Sequence, residues 1–267
     1  MKPFMARRRS FLFLLLFVLS LSPRAQTAAQ VVDIPTRPGV TQRFLYLAPD
    51  KPRAAVILLA GGHGGLQIFP NGSVNWGDGN FLVRTRDLFR QQGLAVAVVD
   101  APSDRQSAPF LNGFRQTPEH VADLKAVIGW MRDKTGVPVW LVGTSRGTQS
   151  AAWISTQLPR ADGGPDGLVL TSTILSDPRG RPVPAMPLDR VTVPVLVVHH
   201  QQDGCKQCPF SETSGLMEKF TSAPRKELIP VSGGISKGDP CEAWSHHGYN
   251  GLETEVVDRI AAWITAH

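Results

Sequence analysis

Only three of the 267 residues are cysteine and two are tyrosine, and no apolar run is long enough to cross a membrane comfortably. Three cysteines cannot build a disulfide-framed miniature fold, so the 42 % of hydrophobic residues must supply the core, enough for one globular α/β domain. No pair of histidines stands at the His-x-x-x-His spacing of a helical metal site, and no internal repeat or domain boundary is visible. The basic excess also vanishes on inspection. Of 28 lysines and arginines, five fall in residues 1–29, which hold no acid, so the remainder carries 23 basic against 22 acidic residues. Without a basic stripe, nucleic acid is excluded as a partner.

The charge imbalance belongs to a leader. Lys2 to Arg9 forms a basic region, Phe11 to Leu21 an apolar one, and Thr27-Ala28-Ala29 a run of small residues. This order reads as a signal peptide over residues 1–29, cleaved after Ala29, with residues 30–267 as a single periplasmic or secreted domain and no membrane span left after cleavage. Arg8-Arg9-Ser10-Phe11-Leu12 also resembles a twin-arginine signal, but the strongly apolar segment favours the general secretory route. In an oxidising compartment, an odd cysteine count implies one disulfide and one spare thiol. Spacing alone leaves the pairing among Cys205, Cys208 and Cys241 open.

Apolar runs at Ala54 to Ala60, Leu94 to Val99, Val137 to Val142, Leu168 to Leu175 and Val193 to His199 read as strands buried on both faces. Arg43 to Leu47 alternates like an edge strand, Val31 to Gly39 reads as linker with at most a short strand, and Lys226 to Val231 is the last strand. Helices are expected at Phe81 to Gln92, from Thr117-Pro118-Glu119 to Lys134, at Gln149 to Leu158, at Phe210 to Phe220 and at Leu252 to Ala266. Strands alternating with helices predict a mostly parallel sheet covered on both faces. The Ser176 to Arg190 connection is too short for a separate lid domain. Ligands of such sheets sit beyond the carboxyl ends of the strands.

Three chemistry-bearing positions follow strands. Ser145 stands at the apex of Gly143-Thr144-Ser145-Arg146-Gly147, Asp203 follows the strand ending at His199, and His246-His247 follow the last strand. A serine hydroxyl needs an imidazole to take its proton and a carboxylate to orient that imidazole. The pattern resembles the nucleophile elbow of the α/β-hydrolase superfamily, over essentially the whole chain after the leader. That resemblance implies a cofactor-free, metal-free serine hydrolase with Ser145, Asp203 and His247 as catalytic residues. Asp177 and His246 are their competitors. It implies an oxyanion loop at Gly61-Gly62-His63-Gly64, where Ala60 replaces the usual histidine, with the backbone N–H groups of Gly62 (His63 second) and Arg146 as donors. His63 and Trp76 are expected at the substrate, with Phe114 as a further rim candidate. The side chain of Arg146 points either to an anionic substrate group or to solvent. His120, His199 and His200 are expected to be structural.

With the acid and histidine loops so placed, a Cys205–Cys241 disulfide would tie them together. A zinc site using Cys205, Cys208, Cys241 and His246 is the weaker alternative. The expected substrate is a small-molecule carboxylic ester, with a peptide or amide bond as the alternative. A metal-dependent hydrolase using His200, Asp203 and His247 and a non-catalytic binding protein are the other classes. Asn71-Gly72-Ser73 matches a glycosylation sequon.

Overall fold

The computed structural model describes Met1, residues 29–178 and residues 180–266. The expected leader lies outside the described residues apart from Met1 and Ala29.

Among the described residues eight strands form one sheet: β1 (Gln30–Arg37), β2 (Val40–Leu47), β3 (Ala54–Leu59), β4 (Leu94–Val99), β5 (Val139–Thr144), β6 (Gly167–Thr171), β7 (Val195–His200) and β8 (Lys226–Val231). Their spatial order is β1-β2-β4-β3-β5-β6-β7-β8. β3 to β8 are mutually parallel, and β2 runs antiparallel to both neighbours. The helices are α1 (Phe81–Arg84), α2 (Arg86–Gln91), α3 (Pro118–Thr135), α4 (Gly147–Gln157), α5 (Thr213–Lys219) and α6 (Glu253–Thr265).

The period of two along each strand sorts side chains into two cores. Ala55, Ile57 and Leu59 face α3, α4 and α5 through Leu124, Val127, Ile154 and Phe220. Val56 and Leu58 face α1, α2 and α6 through Phe81, Phe89, Ile260 and Trp263. Both faces are therefore dry, which is why β3 to β7 read as unbroken apolar runs. α3 carries the expected caps: Thr117 accepts from the His120 N–H, and Gly136 closes the helix at φ 68°.

Four local expectations change. β1 is a full eight-residue edge strand, not linker, and β2 lies inside it. The helix expected over 81–92 is broken at Thr85, whose hydroxyl bonds back to the Phe81 carbonyl at 2.6 Å and competes with the helical ladder. β6 ends at Thr171 rather than Leu175, because Ser172 turns to φ 45° and its N–H bonds the Tyr249 hydroxyl. β8 spans the residues expected for the last strand; it is exposed along Lys226 and Glu227 and carries Pro230, as an edge strand can.

β3 leads to β4 on one side, and β5 to β8 build out on the other. The loops after β3 and β5 diverge at this switch point, where an open parallel sheet leaves a crevice.

Candidate active site

Ser145 follows β5 in a left-handed conformation, φ 52°, rare for a residue with a side chain and costing roughly 1–3 kcal/mol. The turn is held by its N–H donating to the Thr171 carbonyl (3.0 Å) and its own carbonyl accepting from the Thr148 N–H (2.9 Å). The chain then enters α4 so tightly that neither flanking glycine can change. A Cβ on Gly143 would stand 2.5 Å from the Gly147 carbonyl oxygen, and one on Gly147 would stand 2.0 Å from that of Leu59.

The glycine loop after β3 lies against this apex: a Cβ on Gly61 would be 2.9 Å from that of Ser145. Gly62 takes φ 55° beneath the indole of Trp76. A cavity of about 500 Å³ opens here, lined among others by Gly62, Trp76, Ser145, Arg146 and His247. Arg146 begins α4, so the positive end of an eleven-residue helix faces the apex. The ring of His63 is packed between Trp76 (3.8 Å between centroids) and Phe110 (4.3 Å), and its Nδ1 accepts from the Gly65 N–H. Burial lowers its pKa, with repulsion from Arg115 second.

From the other side, β7 delivers Asp203 and the segment after β8 delivers His247. Asp203 is buried; its Oδ2 lies 2.8 Å from His247 Nδ1 and its Oδ1 accepts from the Cys205 N–H at 2.9 Å. A carboxylate oxygen only accepts, so His247 carries its proton on Nδ1 and its Nε2 is a free base. That Nε2 is buried with no protein hydrogen-bond partner. His199 also approaches Asp203, at 3.6 Å, but its Nε2 donates to the Cys208 carbonyl at 2.9 Å, and burial lowers its pKa. The neutral His199 leaves the carboxylate to His247.

The histidine segment is pinned by its neighbours. Ser172 Oγ donates to the His247 carbonyl (2.7 Å), and the buried Tyr249 hydroxyl donates to the Val198 carbonyl (2.7 Å). Gly248 is needed for close approach, since a Cβ would stand 1.9 Å from the Ala243 carbonyl oxygen; the left-handed turn falls on Tyr249, φ 56°. Cys205 and Cys241 form a disulfide that joins the Asp203 loop to the segment before His247. Cys208 is a free, buried thiol, pushed well above its ordinary pKa by burial and then by the charge of Asp203.

The remaining candidates stand elsewhere. His246 stacks on His200 at 4.2 Å and meets the Gln202 carbonyl rather than Asp203. His200 spends Nε2 on the Gly233 carbonyl and Nδ1 on the Gln202 N–H, so it has no nitrogen left for a metal shared with Asp203 and His247. Among the described residues, the one ligand-like grouping is Cys205, Cys208 and His247, with ligand atoms within 4.8 Å of one another, and Cys205 is consumed by the disulfide. Asp177 pairs with Arg146 at 2.9 Å, which also gives the Arg146 side chain a partner other than solvent. Phe114 does not rim the cleft; it is buried with Ala101 and Leu111. His120 is buried against Ser150. Sequence reasoning passed over Arg115, whose guanidinium lies beneath the glycine loop, because nothing in its flanking residues marks an arginine for burial.

The sequence matches no family model and no curated protein. Solved structures do match. A dienelactone hydrolase from Anabaena variabilis superposes with a TM-score of 0.62 at 16 % identity, over 91 % of this chain and 99 % of that one. An esterase of Pyrococcus furiosus gives 0.64 at 13 %, over 90 % and 92 %. A serine hydrolase without lid from Xanthomonas campestris gives 0.51 at 17 %, over 89 % and 96 %. The chain has the α/β-hydrolase fold, and its described residues include no lid domain.

Proposed function

We propose that the protein hydrolyses a small-molecule carboxylic ester through an acyl-enzyme on Ser145. The observation that carries this reading is the Asp203–His247 hydrogen bond, which leaves Nε2 basic at a cleft shared with a serine on a strained elbow. The neighbours' names, esterases and a dienelactone hydrolase, support the same chemistry.

In the first half-reaction His247 Nε2 takes the Ser145 proton as Oγ attacks the ester carbonyl. The bond from Oγ to carbon forms, and the carbonyl electrons move onto oxygen. The N–H groups of Gly62 and Arg146 receive that oxyanion, each contributing on the order of 3 kcal/mol in the transition state. The tetrahedral species collapses as the imidazolium returns its proton to the departing alkoxide. Water, deprotonated by the same Nε2, then attacks the acyl-enzyme; the Oγ–carbon bond breaks as the imidazolium returns that proton to Ser145 Oγ, which frees the acid. Asp203 holds the imidazole in place throughout and stabilises the imidazolium. Trp76 forms an apolar wall for the substrate beside His63. The leader and the disulfide fit a periplasmic or secreted protein.

Replacing Ser145 by Ala tests the assignment. Hydrolysis of short aryl esters should disappear, a fluorophosphonate probe should no longer label the protein, and the thermal melt should be preserved. Near-normal turnover in the variant would sink the mechanism.

A further inference from the structure

Arg115 is a cation nearly cut off from water, 5 % exposed. Its Nη1 donates to Ser150 Oγ (3.0 Å), its Nη2 to the carbonyls of Ala60 and Gly62 (each 3.1 Å), and its buried Nε has no partner. Among the described residues, all its acceptors are neutral. Burying a guanidinium against neutral groups alone is unfavourable. Desolvation, followed by repulsion from Arg146, brings its pKa down to about 9.

The two guanidinium groups repel because they border one cavity, of about 410 Å³, on the α4 side of the elbow. Arg181 is a third, held over the ring of Trp153. The one acid in the described lining is Asp177, already paired with Arg146. The rest of the polar lining is neutral, so the described cavity carries three positive charges against one negative. Arg146 borders both this cavity and the Ser145 cleft, so a ligand bound at one reaches the residue that flanks the other.

We propose that this cavity is an anion subsite, and that the ester cleaved at Ser145 carries a free carboxylate received by Arg115, Arg146 and Arg181. The inference rests on the ester-hydrolase reading above and deepens it. A carboxylate supplies the anionic acceptor that, among the described residues, neither Arg115 nor Arg181 has, and a guanidinium fork matches its two oxygens.

The test compares para-nitrophenyl hydrogen glutarate with para-nitrophenyl pentanoate, a near-isosteric neutral ester, in wild type and in Arg181→Gln. Titration of glutarate into both proteins by calorimetry gives a second readout. One charge-assisted contact predicts a kcat/KM about tenfold or more in favour of the charged ester. The ratio should fall towards one in Arg181→Gln and at high salt, since Arg181 is exposed. A wild-type ratio at or below one overturns the subsite. Hydrolysis of neither ester would defeat the ester-hydrolase reading instead. Glutarate binding then decides the subsite alone: binding weakened by Arg181→Gln supports it, and no binding overturns it. Circular dichroism of the variant checks that it folds.

Discussion

Asp203 Oδ2 lies 2.8 Å from Nδ1 of His247, and the other carboxylate oxygen is fixed by the Cys205 N–H. The carboxylate therefore sets both the orientation and the tautomer of the imidazole. Asp203→Asn preserves size but offers an N–H that can face Nδ1, which would place the ring proton on Nε2 and remove the base. We expect kcat on an aryl ester to fall by roughly 10⁴ with the fold intact. A loss of less than about tenfold would show that His247 does not depend on this contact.

The Cys205–Cys241 bond closes a loop across 36 positions, linking the acid segment to the histidine segment. Restricting the unfolded chain over that length contributes roughly 3–4 kcal/mol in the chain-entropy account. Cys241→Ser should lower the urea midpoint accordingly and depress kcat more than it raises KM, because base and acid lose their common tether. The remaining thiol gives an internal check. Cys208 is buried and its pKa raised, so native, unreduced protein should resist alkylation until denatured, and then take up one label. Rapid native labelling would contradict the buried placement.

How much of this was legible in the sequence follows from where the physics is local. The β5–Ser145–α4 turn could be read from Gly143, Gly147 and the apolar run before them, because a close strand-to-helix crossing demands small residues at those positions. β1 could not: an edge strand with one face in water lacks a continuous apolar run, and Pro35 reads as a breaker. The break at Thr85 depends on one hydroxyl bonding back to a carbonyl, which the apolar period does not register. Arg115 was illegible for a different reason. Its burial is imposed by the glycine loop and by Ser150, which are distant in sequence.

Glycine substitutions separate close approach from backbone freedom. Gly147→Ala would drive a methyl to 2.0 Å from the Leu59 carbonyl oxygen, so the elbow must open, and we expect loss of activity with a destabilisation above about 3 kcal/mol. Gly129, inside α3, has open space around its missing side chain. Gly129→Ala should stabilise by up to about 1 kcal/mol through helix propensity and leave activity alone. Paired thermal melts measure both, and equal effects from the two would reject the tight crossing.

Burial of His120 makes stability depend on pH. The ring lies against neutral Ser150, its Nε2 3.0 Å from an Oγ that also accepts from Arg115 Nη1, and its Nδ1 is buried without a partner among the described residues. Desolvation first, then the charges of Arg115 and Arg37, lower its pKa to about 3 from an ordinary value of 6.5. Between those values the unfolded chain binds a proton that the folded chain refuses. The stabilisation is therefore complete above pH 6.5 and is lost as pH falls towards 3. From about pH 6.5 to 4.5, above most carboxylate titration, His120 accounts for roughly 2–3 kcal/mol, and His199, shifted the same way, adds to it. Urea titrations across this range should show His120→Gln with a shallower fall in stability than wild type, whatever its stability at neutral pH. Parallel slopes would mean that the folded protein accommodates a charged His120.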